Sequence, residues 1–258
     1  METKKRPRIL IVNDDGIFAP GIKFLTEAAR KFGDVLVVAP DAPRSGQSHA
    51  ITLTSPLRLQ EAGVEDNVRR FSCNGTPADC VKMAVKVILQ GEHPDYVFSG
   101  INHGSNAASN AIYSGTIAGI VEGALSGVPS VGFSLLDHSL HADFKPIMPY
   151  VERIIKACIE SGRKDICWNV NFPRLPEGDI KGIKICHAAE AVWKEDAWER
   201  EDPTGRRYYW ITGEFENTDP RTDTDLYYLE QGYVSLVPLK VDWTDYEELG
   251  RLQKELKL

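Results

Sequence analysis

Four runs of β-formers, RILIV (residues 8–12), DVLVVAP (34–40), DYVFSG (95–100) and PSVGFSL (129–135), are apolar at nearly every position instead of alternating. A strand that is apolar on both faces has to be covered on both faces, and helices do this in a parallel, doubly wound sheet. Helical segments fall between the runs as that arrangement requires. PGIKFLTEAARKF follows the first, with Pro20 near its start, and TPADCVKMAVKVILQG precedes the third, with Thr76 as N-cap, Pro77 in the first turn and Gly91 as the stop. SGTIAGIVEGALSG precedes the fourth run and a helix within KPIMPYVERIIKACIESG follows it. The pattern predicts an α/β fold built on a mostly parallel sheet.

The second half changes character after ICWNVNFP. RRYYWITGEF and YVSLVPL are aromatic and β-branched, the polar ENTDPRTDTD separates them, and the charged segment DYEELGRLQKELK reads as a final helix. We read one domain with its core over about residues 8–180 and a β-rich extension or arm over about 181–258, lying beyond the main sheet. A two-stranded unit of this kind is marginal alone in water, so it needs a partner surface, and at least a dimer is expected.

Composition removes several function classes. The 258 residues are 42% apolar and 26% charged, ordinary globular usage, with a formal net charge of −7. That balance, with no dense basic run beyond KKRPR at residues 4–8, argues against a nucleic-acid groove or an anionic membrane surface. The apolar run after METKKRPR stops too early for a signal peptide, and no later stretch approaches a membrane span, so a soluble, cytoplasmic protein is expected. Five cysteines without CxxC spacing suggest buried free thiols.

The first run ends on two adjacent carboxylates, Asp14 and Asp15. In open α/β sheets ligands bind outside the carboxyl ends of the strands, and this pair sits there. Two adjacent carboxylates repel each other unless a cation or several donors compensate. Either a divalent metal lies between them, or one aspartate caps the helix of residues 20–31 and the other is solvated.

Three further loops share that sheet edge. APDAPRSGQSHA follows the second run and carries Arg44, Ser45 and Ser48; SGINHGSN follows the third and offers Asn102 and Asn106 between glycines. YSGTIAG opens a helix, where Ser114 as N-cap and the amides of Gly115 and Thr116 make an anion site. Oxygen-only ligands suit a hard cation such as Mg²⁺ or Mn²⁺ rather than zinc. His49 and His103 lie in polar loops as candidate proton carriers. GIFAPGIK falls short of a phosphate-binding P-loop because Ile22 separates Gly21 from Lys23; G-x-G-x-x-G after the first run, G-x-S-x-G and HExxH are absent.

NDDG, VVAPDAPRSG, GTPADCV, SGINHGSN and YSGTIAGIVEGAL, in this order, resemble the SurE family, the stationary-phase survival protein E nucleotidases. The similarity runs over about residues 8–136 and continues more weakly through NVNFP and GYVSLVPL. It implies a Rossmann-like α/β domain and a metal-dependent phosphatase of nucleoside monophosphates. Such enzymes are 5′-nucleotidases, often also 3′-nucleotidases and sometimes exopolyphosphatases, and they form homodimers or homotetramers with exchanged C-terminal arms. By the same resemblance Asp14, Asp15, Ser45 and Asn102 hold one divalent ion, Asp14 and Asp15 are catalytic, and Asn106, Ser114, Gly115 and Thr116 contact phosphate. Two positions depart from the family pattern: Ser105, usually proline, and Asn110, often acidic, where a change in local charge would bear on substrate range. A non-catalytic, metal-dependent nucleotide- or phosphate-binding module is the alternative.

Overall fold

The computed structural model describes residues 6–139, 141–174 and 179–256. Lys4 and Lys5 of the basic run and Lys257 of the last predicted helix lie outside them. From the N-terminus the elements are β1 (Arg8–Val12), α1 (Pro20–Ala29), β2 (Asp34–Pro40), β3 (Leu59–Glu65), β4 (Val68–Cys73) and α2 (Pro77–Met83). The chain continues through β5 (Tyr96–His103), α3 (Asn110–Tyr113), α4 (Gly115–Leu125), β6 (Ser130–Leu135), α5 (Met148–Glu160) and β7 (Cys167–Phe172). It closes with β8 (Ile183–Ile185), β9 (Ala191–Glu201), β10 (Arg207–Asn217), α6 (Asp225–Glu230), β11 (Val234–Pro238) and α7 (Tyr246–Glu255).

Among the described residues one nine-stranded sheet runs in the order β3-β4-β2-β1-β5-β6-β7-β11-β8. Its central six strands, β4 to β7 in that order, are mutually parallel. The unbroken apolar runs are buried as their composition demands: Ile9, Leu10, Ile11 and Val12 of β1 are fully covered. One core on one side of the sheet gathers Ile22, Leu25, Ile154 and Ile155 from α1 and α5, and a second gathers Cys80, Val81 and Ala84 at α2. The chain leaves β1 toward β2 on one side and returns to β5 on the other, so the carboxyl ends of β1 and β5 flank the crevice where open sheets bind ligands.

Caps fall where the sequence places them. Thr76 accepts from the Asp79 amide at 3.2 Å and the Asp79 carboxylate accepts from the Thr76 amide at 2.9 Å, a reciprocal capping box on α2. The expected single helix to Gly91 is instead α2 followed by a π-helical turn over Ala84–Ile88, closed by the Gly91 amide on Val85 O at 2.7 Å. All five cysteines are free and buried.

Two placements differ from the sequence reading. YVSLVPL does not lie beyond the main sheet: β11 pairs antiparallel with β7 and parallel with β8 inside it. Residues 234–237 are buried one after another, the same signature as the parallel strands, and the aromatic company of RRYYWITGEF hid it. The β3–β4 hairpin was not foreseen, because an exposed edge strand needs no apolar run: LQEAGVE buries none of its residues fully. The arm itself is a separate two-stranded antiparallel sheet of β9 and β10, with Trp198, Tyr209, Trp210 and Ile211 more than half exposed.

Candidate active site

NDDG forms a braced turn. Asn13, fully buried, donates to Gly16 O at 3.0 Å and accepts from the Gly16 amide at 3.2 Å, and Gly16 takes φ +102°, which a side chain would resist. The turn leaves Asp14 4% exposed at the N-terminal end of α4, where the Thr116 hydroxyl donates to Asp14 Oδ1 at 2.6 Å. A methyl at Gly115 would lie 2.7 Å from the Asp14 Cβ, so the glycine admits this close approach. Burial first, and then the neighbouring Asp15 charge, pushes the Asp14 carboxyl up from 3.8 to about 6. Asp15 is also raised by burial, while its Oδ2 accepts from the His103 amide at 3.2 Å. Neither aspartate caps α1, whose N-cap is Ala19 without a side-chain bond, so the helix-cap alternative does not hold.

Asn102 and His103 are the last residues of β5, longer than the run DYVFSG predicts. The Asn102 side-chain nitrogen donates to Gly104 O at 2.9 Å, which leaves its side-chain oxygen as the atom available to a cation. Asn106 is anchored on three sides: its side chain donates to Ser134 Oγ at 2.8 Å, its backbone N–H to Asn171 Oδ1 at 2.9 Å, and its carbonyl accepts from Asn169 at 2.8 Å. Ser134, Asn169 and Asn171 are buried and escaped the sequence reading. The signal was the spacing in NVNF, where two asparagines two apart on a strand share one face. Asp225 also went unnoticed: fully buried, it accepts from the amides of Ala108, Ala189 and Leu226 at 2.8–2.9 Å and ties the asparagine loop to the C-terminal segment.

Asp14, Ser45, Asn102, Asn106 and Ser114 line one cleft of about 710 Å³, with His103, Ser105, Asn110 and His138. Ser114 caps α4 by accepting from the Ile117 amide at 3.1 Å. Gly115 and Thr116 stand behind Asp14. Thr116 is fully buried and its hydroxyl donates to that carboxylate, so its side chain positions Asp14, while the expected phosphate contact rests on its backbone amide. His49 is drawn away: its Nε2 is 3.0 Å from Glu122 Oε2, and Lys82 bonds the other carboxylate oxygen at 2.5 Å. Arg44 reaches Asn74 O at 3.0 Å and Ser48 reaches Ile112 O at 2.6 Å, so neither serves the cleft.

Among the described residues the lining contains two ionisable carboxylates, Asp14 and Glu195, and neither lysine nor arginine. No group of three His, Cys, Asp or Glu side chains converges among the described residues. Of the expected metal ligands, Asp14, Ser45 and Asn102 line the cleft and Asp15 does not; the Asp14 carboxylate, the adjacent Asp15 and neutral oxygens make a donor set that fits Mg²⁺ or Mn²⁺.

The family model for Survival protein SurE matches residues 9–195. This chain belongs to the SurE family. Among its SurE relatives, the 5′-nucleotidase SurE of Cytophaga hutchinsonii is 48% identical over 98% of both chains. That of Christiangramia forsetii is 50% identical over 93% of this chain and 94% of its own. The crystal structure of the SurE protein from Aquifex aeolicus superposes with a TM-score of 0.81 at 38% identity, covering 96% of this chain and 99% of that one. Among the described residues, no helix is long and apolar enough to cross a membrane.

Proposed function

We propose that this protein is a divalent-metal-dependent phosphomonoesterase that hydrolyses nucleoside 5′-monophosphates, the activity its relatives are named for. One observation carries the metal requirement. A phosphate entering this cleft meets the buried Asp14 carboxylate beside Asp15 with no lysine or arginine among the described lining residues, an arrangement that repels an anion until a cation is added. Asp14, Asp15, Ser45 and Asn102 would hold Mg²⁺ or Mn²⁺. Such an ion, when bound, neutralises phosphate oxygens and lowers the pKa of a water.

The remaining chemistry belongs to the chain's own residues. Thr116 fixes the Asp14 carboxylate by its hydroxyl, and the His103 amide fixes Asp15. Ser114 and the first amide of α4, that of Gly115, receive phosphate oxygens at the positive end of the helix. Asn106, immobilised by Ser134, Asn169 and Asn171, orients the ester without moving during the reaction. His103, whose Nδ1 is 3.0 Å from Ser139 O and whose ring meets Phe144 edge-on, is the histidine fixed in position to pass a proton to the leaving oxygen. The exposed aromatic tip of the arm supports a homodimer or homotetramer with exchanged arms.

A phosphate-release screen tests the reading: nucleoside 5′- and 3′-monophosphates, sugar phosphates and polyphosphate, each with Mg²⁺, Mn²⁺ or chelator. Metal-dependent release from nucleoside 5′-monophosphates supports it, and the 3′ and polyphosphate arms decide the wider range implied by the family. Tight nucleotide binding without release in any arm makes the protein the non-catalytic binding module instead.

A further inference from the structure

The cleft has two chemically different walls. The inner wall is oxygen-rich, formed by Asp14, Asn102, Asn106 and Ser114; the outer wall comes from the arm and from Tyr113 at the end of α3. Trp193 and Glu195 of β9, two residues apart, and Ile211 of β10 stand in that outer wall. Phosphate chemistry uses no aromatic surface, so the inner wall leaves this one unexplained.

Trp193 is 44% exposed, yet it is fixed in place. Its indole N–H donates to Asn110 Oδ1 at 2.8 Å, and Phe215, its cross-strand neighbour, packs with ring centroids 5.4 Å apart. Asn110 is one of the two departures from the family pattern, and its neutral carbonyl serves as the acceptor for the indole. An aromatic surface that is open to the cleft and already immobilised gives up little conformational freedom when a flat ring lands on it. The carboxylate of Glu195, in the same lining, is a hydrogen-bond acceptor with negative charge beside that surface.

We propose that Trp193, pinned by Asn110, is the nucleobase platform of this cleft: the base stacks on the indole while the phosphate lies at Ser114. The inference rests on the phosphomonoesterase reading and adds the base as the recognised group, which makes the arm a determinant of specificity.

The test compares the full-length wild type with Trp193→Ala and Trp193→Phe, using adenosine 5′-monophosphate and ribose 5-phosphate as substrates. Loss of one base–aromatic stack lowers the ratio of the two kcat/KM values about tenfold to a hundredfold in Trp193→Ala, carried by KM for the nucleotide. Trp193→Phe, which keeps a ring, retains most of the ratio. An unchanged ratio, or an equal fall for both substrates, overturns the proposal, because a merely structural tryptophan affects both alike. A parallel titration follows intrinsic fluorescence with adenosine 5′-monophosphate. Saturable quenching in the wild type that is lost in Trp193→Phe supports the platform, and identical quenching in both overturns it. A wild type that hydrolyses neither substrate defeats the phosphomonoesterase reading, and the fluorescence titration then decides the platform on its own.

Discussion

Replacing Asp14 by asparagine removes a buried charge that its surroundings disfavour while nearly keeping the side chain's shape. The carboxyl moves from 3.8 to about 6 on folding, and at about 1.4 kcal/mol per pH unit the ionised form destabilises the metal-free protein by about 3 kcal/mol. The sign follows from the direction of the shift. A raised carboxyl binds its proton more tightly in the folded state, so the penalty is full above about pH 6 and vanishes below 3.8. The Thr116 hydroxyl still finds an acceptor in the asparagine carbonyl. In chelator at pH 8, Asp14→Asn therefore melts higher than wild type by about 6–12 °C at equal protein concentration, and the gap closes as the pH falls toward 4. Adding Mn²⁺ reverses the order: the wild type gains about 4.1 kcal/mol at a thousandfold excess over Kd and the variant gains nothing. Thermal denaturation across pH with chelator or metal reads all of this. A variant no more stable than wild type at pH 8 in chelator, or a gap of equal size at pH 4 and pH 8, refutes the electrostatic reasoning.

Further expectations follow from single contacts. Thr116→Val removes the hydroxyl that donates to Asp14 and weakens metal binding about tenfold by calorimetry, the loss of one charge-assisted bond; unchanged affinity would show that Asp14 is held without it. Asp225→Ala leaves three buried amides without their acceptor and destabilises the fold by about 3–5 kcal/mol in urea, whereas a loss under about 1 kcal/mol would show that the asparagine loop stands without it. Thr76→Ala opens the capping box of α2 and costs about 1 kcal/mol, measured by the urea midpoint at constant slope. Joining residue 194 to 214 through a short glycine link removes the exposed tip of the arm but keeps Trp193; light scattering should find a smaller assembly, and an unchanged assembly size would place the subunit contacts elsewhere.

The parallel core was legible because burial on both faces writes itself into composition: β1, β2, β5 and β6 read as apolar runs before any coordinate. Asp14, Ser45, Asn102, Asn106 and Ser114 were legible for a topological reason, since loops at the carboxyl ends of neighbouring parallel strands must meet. What escaped depends on partners distant in the chain. Asp225 lies 117 residues from Ala108, and Asn171 lies 65 from Asn106; the spacing in NVNF marks two asparagines on one face but no local pattern names their partner. His49 was misplaced as a site candidate for the same reason, because Glu122, which claims it, is 73 residues away. Thr116 is expected at the phosphate through its backbone amide; that its buried side chain also holds Asp14 was not legible, because Asp14 lies 102 residues away.

The claim that a cation must complete this cleft is tested most directly by phosphate release from a nucleoside 5′-monophosphate, after exhaustive chelation and after restoration of Mg²⁺ or Mn²⁺. The account predicts no release by the chelated wild type, full recovery on adding either ion, and none in Asp14→Asn under any condition. Sustained release by the chelated protein, or by Asp14→Asn, would contradict it.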